Sequence, residues 1–169
     1  VIGLCSVINF GANLAKKAND PVYIAAVMKS VGGMQSPLPE GFAYQMAIEA
    51  FNMHAVTFVY KPDNTAIMLG AMELPDQKID DARQMVKELA LRGIPGFADS
   101  FEEEKSGQLP VADQTMEYLV GKSVDRDGTR ISAMLGCIFD KAKKRQIVLY
   151  GFSPSGPFNF EAAKTLVSG

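Results

Sequence analysis

Apolar residues recur along this chain at two periods, and the switches between them mark out its elements. Ile24, Val27, Met28 and Val31 fall three or four apart, the spacing of one helical face. Asp20 precedes them with a carboxylate that can accept from free amides, and Pro21 suits the first helical position, so a helix is expected over 20–31. Gly32-Gly33 stops it, and Pro37-Leu38-Pro39-Glu40-Gly41 makes a rigid turn. The period then drops to two. Phe42, Tyr44, Met46 and Ile48 alternate with Ala43, Gln45, Ala47 and Glu49, as in a half-buried strand. Ala55 to Tyr60, rich in β-formers, is a second strand. Lys61-Pro62-Asp63-Asn64 is a hairpin turn, and Thr65 to Glu73 is a third strand.

Helical spacing returns after Pro75-Asp76. Ile79, Ala82, Val86 and Leu89 line one face with Met85 beside them, while Asp80, Arg83, Gln84, Lys87 and Glu88 take the other, which predicts a helix over 76–92 ended by Gly93. Residues 94–112 are polar, lack a period and read as irregular, with Glu102-Glu103-Glu104 as a solvated stretch. Gln114 to Val124 reads as a strand, followed by a tight turn at Asp125-Arg126-Asp127-Gly128. In the next strand Ile131, Ala133, Leu135, Cys137 and Phe139 share a face. After a turn at Asp140 to Arg145, Ile147 to Phe152 is almost continuously apolar, which predicts a central strand covered on both sides. A closing helix is expected over 159–168, capped by Asn159.

These elements predict an α+β fold: a six-stranded, mainly antiparallel sheet flanked by helices, in the order α-βββ-α-βββ-α with an extra N-terminal apolar helix. Short links between successive strands favour antiparallel pairing. The missing strand–helix–strand rhythm argues against a doubly wound parallel sheet. Residues 18–169 read as one domain. Residues 1–17 stand apart from it. Val1 to Ala15 are mostly apolar and lead to Lys16-Lys17, too short to cross a bilayer, which takes about 20 residues. They read as the end of a membrane anchor or as an oligomerisation helix; Asn9 and Asn13 favour the second. Leu4 before Cys5 is not the small residue a lipoprotein cleavage site requires.

Composition narrows the chemistry. A chain of 169 residues, 47% hydrophobic and 21% charged, can bury a sizeable core. Its net charge of −2 gives no field to draw nucleic acid, so no nucleic-acid partner is expected. The two cysteines, Cys5 and Cys137, have neither framework nor C-x-x-C spacing. Gly121-Lys122-Ser123 resembles the end of a phosphate loop, but Met116 stands where the first glycine belongs and a strand follows instead of a helix. Gly151-Phe152-Ser153-Pro154-Ser155 resembles a nucleophile elbow, but Pro154 lacks the amide an oxyanion hole would use. The turn at Asp125 has Arg130 and Gly136 where a calcium loop needs glycine and glutamate. His54, the single histidine, cannot make a multi-histidine metal site and is expected to lack a carboxylate partner in a cleft. The sequence therefore predicts no catalytic residues, no cofactor and no metal ligands. One basic cluster remains. Lys141, Lys143, Lys144 and Arg145 crowd a single turn, and read as a solvated hairpin tip or as a contact for anionic headgroups, where each basic side chain adds about 1 kcal/mol.

Asn19-Asp20-Pro21, Leu38-Pro39-Glu40-Gly41-Phe42 and Phe51-Asn52-Met53, with Gly121-Lys122-Ser123-Val124 and Leu135-Gly136-Cys137-Ile138-Phe139-Asp140, resemble a family of uncharacterised bacterial membrane-anchored proteins. The likeness covers residues 19–168 and rests on turn and core features. Asn52 departs from it, standing where the family would have glycine. The element order is similar to the PsbP-like fold. That resemblance implies an assembly or binding factor of the cell envelope, without catalysis, and carries no functional residues over. Three functions follow as expectations, in this order: an interaction or assembly module held near a membrane, with a protein partner or self-association; a binder of a small apolar ligand between sheet and helix; and, last, an enzyme whose carboxylates only the fold would bring together. The expected location is the cell envelope, with the cytoplasm as the alternative.

Overall fold

The computed structural model describes residues 20–31, 38–50, 53–73, 84, 86–88, 100–111, 114–124, 128–140 and 144–167. Helix α1 (Pro21–Val31) leads into strands β1 (Phe42–Ala50), β2 (Met53–Tyr60) and β3 (Thr65–Glu73). Strands β4 (Ser100–Val111), β5 (Gln114–Val124), β6 (Arg130–Asp140) and β7 (Arg145–Ser153) follow, and helix α2 (Phe160–Val167) closes the series. Gln84 and residues 86–88 are also helical.

The strands form one sheet in the order β1-β2-β3-β7-β6-β5-β4, and every pairing is antiparallel. Short links build two meanders, β1 to β3 and β4 to β7, and the β3–β7 pairing joins them. In the Lys61–Asn64 turn, Asn64 takes a left-handed φ of 59° and the Asp63 carboxylate accepts the Thr65 amide at 2.9 Å. The apolar run of β7 occupies the fourth of seven positions, the central place its sequence predicts.

The expected six strands and α-βββ-α-βββ-α order are overturned. The second half carries four strands, not three, because residues 100–111 pair with β5 along their whole length. Their polarity follows from their place at the sheet's edge. Glu102 to Ser106 face water, Leu109 and Val111 are buried in the core and Phe101 packs partly buried against the cluster on the other face, so no alternating period develops. Charged side chains, Pro110 and a bulge between Glu103 and Lys105 are devices that keep a free edge from pairing with other chains. Gly121 lies opposite that bulge. A side chain there would strike the backbone of Glu102 and Glu104, so the glycine serves the close approach of two strands.

The sheet is covered on both faces. On one, Val56, Phe58, Ile67, Leu69, Met116, Met134 and Leu149 form a core with Ile24, Val27 and Val31 of α1 and with Ala163 and Leu166 of α2. Asp20 caps α1 through the Val22 amide at 2.8 Å, and Asn159 caps α2 through the Ala162 amide at 2.9 Å. On the other face, Leu119, Ala133, Leu135, Cys137 and Tyr150 pack with Val86, from within the helix expected over 76–92. Ile79 and Leu89 of that helix, and the whole of segment 1–17, lie outside the described residues.

Candidate functional site

Two hairpins bring polar side chains together at one end of the sheet. In the first, two residues separate β1 from β2, and the register sets Glu49 opposite His54. His54 Nδ1 lies 3.4 Å from Glu49 Oε1. The contact is close enough for an ion pair but is not aligned as a hydrogen bond, and Nδ1 is buried without a hydrogen-bond partner. Tyr23 of α1 also lies close to Glu49. Burial pushes its phenol above the usual range, the Glu49 charge adds to the rise, and a hydrogen bond with the Glu49 backbone opposes it.

In the second hairpin the register sets Asp140 opposite Arg145. Arg145 Nε donates to Asp140 Oδ2 at 3.1 Å, and the two side chains are 12% and 5% exposed. Arg145 Nη1 also donates to the Ser30 carbonyl at 2.6 Å, in the last turn of α1, where a cation meets unpaired carbonyls and the negative end of the helix dipole. One guanidinium thus ties the end of the sheet to α1.

Between the hairpins, Ser30, His54, Ala71, Met72, Glu73 and Arg145 line a concavity of about 230 Å³. It holds one imidazole, one guanidinium and one carboxylate, with Glu49 behind the imidazole. His54 therefore has a carboxylate neighbour beside a concavity, contrary to the expectation from sequence. The Ser30 hydroxyl donates to the Ala26 carbonyl at 3.2 Å, a bond within its own helix. The arrangement is one of acceptors and a donor around an open space, not a nucleophile held on a base.

The basic cluster divides. Lys141 and Lys143 lie outside the described residues. Lys144 is exposed, with a left-handed φ of 49°. Arg145 points into the fold and is held by Asp140 and α1. The other motifs resolve into structure. Ser153 is buried, and its hydroxyl donates to the Ser155 carbonyl at 3.4 Å. Ser123 accepts from the Tyr150 hydroxyl at 3.1 Å inside the core. Burial pushes the Cys137 thiol up to about 12 despite a hydrogen bond from Gln146, so it is no nucleophile at neutral pH. Asp125 lies outside the described residues. Among those described, no group of three or more His, Cys, Asp or Glu side chains is placed to hold a metal ion.

A second concavity, of about 290 Å³, lies between α1 and the edge strand β1 and is lined by Pro21, Ile24, Ala25, Tyr44 and Gln45. Val22 is 80% exposed and Tyr44 42%, the large hydrophobic side chains left in water among the described residues. No helix among those residues is long and apolar enough to cross a membrane. In comparisons with known proteins, no family model and no curated protein matches this chain.

Proposed function

We propose that this domain is a non-catalytic interaction module that takes an extended, apolar segment of a partner protein along the outer edge of β1. The observation that carries this reading is the contrast between the two edges of the sheet. β4 is guarded by charges, a proline and a bulge. β1 has nine residues with one charge, Glu49, and no proline. Its own bulge, between Tyr44 and Met46, leaves Met46–Ala50 as a regular stretch for strand addition beside the apolar groove. Main-chain hydrogen bonds to such an edge supply affinity, and a neighbouring pocket supplies specificity. In this reading the apolar residues 1–15 provide attachment to a membrane, on the strength of their sequence alone.

The alternative, an apolar ligand held between sheet and helix, finds less support because large side chains fill that space. Val27, Val31, Phe58, Leu69, Leu149 and Leu166 are each 2% exposed or less. Selection of extended peptides from a displayed library, followed by mapping of amide shifts, tests the proposal. Bound peptides are expected to shift the amides of 46–50 and the groove, and Val22→Glu with Tyr44→Glu to abolish binding while circular dichroism stays native. Peptides that map to β4, or a library that yields none, would refute it.

A further inference from the structure

The concavity beneath the two hairpins is separate from the β1 groove and has its own charge pattern. Arg145 is fixed at Asp140 and at the end of α1 by two hydrogen bonds, which use two of its five N–H donors. Glu73 pairs directly with Arg145 in the β3–β7 register and lines the same space. His54 lines the same space, and its Nδ1 lies 3.4 Å from Glu49 Oε1.

These charges select a ligand class. An anion alone would meet Arg145 but also Glu73, with Glu49 and Asp140 close behind. A cation alone would meet the carboxylates but would also cover a guanidinium, stripping water from donors it cannot satisfy. A molecule carrying both signs satisfies both. Its carboxylate can take the bidentate geometry that arginine offers, and its ammonium can donate to Glu73, beside the His54 ring. A carboxylate oxygen accepts more than one bond, so Glu73 can serve the ligand alongside any neighbour. At about 30 Å³ per water molecule, the volume corresponds to about eight waters, room enough for a small amino acid with water beside it. We propose that the concavity lined by Ser30, His54, Glu73 and Arg145 binds a small zwitterion of the α-amino-acid class.

Because His54 is the only histidine, its imidazole gives one isolated set of NMR signals in the intact chain. Glycine, alanine, serine and valine would be titrated in turn, each beside its deaminated and its decarboxylated counterpart, such as propionate and ethylamine for alanine. At least one amino acid is expected to shift the His54 signals saturably, with both counterparts weaker by about tenfold or more, the loss of one charge-assisted hydrogen bond. Glu73 is exposed at a strand end, so Glu73→Gln is expected to keep the fold and to weaken the amino acid to the level of its deaminated counterpart. Three results would each overturn the proposal: no saturable shift with any of the four, a counterpart that binds as tightly as its amino acid, or an affinity unchanged in Glu73→Gln.

Discussion

At the scale of single residues, Asp63 shows how one side chain joins distant parts of the chain. It ends the β2–β3 turn through the Thr65 amide, and it accepts from Asn159 Nδ2 at 2.6 Å, the residue whose Oδ1 caps α2. Burial alone would push its carboxyl up, but the hydrogen bonds from Asn159 and Thr65 outweigh burial and hold it below the ordinary 3.8. A carboxyl lowered by folding stabilises the native state above its unfolded value, and that stability is lost as pH falls through the folded one. The urea midpoint of the wild type is therefore expected to fall further than that of Asp63→Asn between about pH 5 and about pH 2.5, so that the two converge in acid. Parallel shifts in the two proteins would show that the carboxylate's charge adds nothing.

At the scale of elements, β4 is the strand that polarity hides. If residues 100–111 form an edge strand whose inner side chains reach the core, Leu109→Ala is expected to cost about 2–5 kcal/mol in denaturant unfolding. Glu103→Ala, on a water-facing position, is expected to stay within about 0.5 kcal/mol. Equal, small effects would return the segment to a loop. The other six strands were legible from alternation, β-rich or apolar runs and turns, and α1 and α2 from helical spacing and caps; in β1, however, the bulge turns Ala47 inward and leaves Tyr44 42% exposed, against the alternating face expected, and β6 is buried continuously from Ser132 to Ile138. An edge strand that meets water along most of its length has no such period. The polar site was half legible. A two-residue link between β1 and β2 makes Glu49 and His54 cross-strand neighbours, and the β6–β7 turn does the same for Asp140 and Arg145. Both facts were available to anyone who carried the strands to their ends. What Ser30 and Glu73 add could not be read, because it depends on how α1 and β3 lie against those hairpins.

At the scale of the whole molecule, the two meanders depend on one seam. β7 bonds to β3 on one side and β6 on the other, and Gln146, Ile147, Leu149, Tyr150 and Gly151 are all buried within it. Amide hydrogen exchange is therefore expected to be slowest in β3, β6 and β7 and faster in the edge strands β1 and β4. Uniform protection across the sheet, or fastest exchange at β7, would contradict a central seam. The seam pairs residues far apart in the chain, Ala66 with Phe152 at one end and Glu73 with Arg145 at the other. During synthesis, β1 to β3 leave the ribosome as a finished meander while the strand that must cover β3 is still untranslated. At about 10 residues per second, its inner edge stays open for about 8 s. A nascent chain at that stage is a ready template for any extended segment nearby, so slowing translation between β3 and β7 should increase its demand for chaperones.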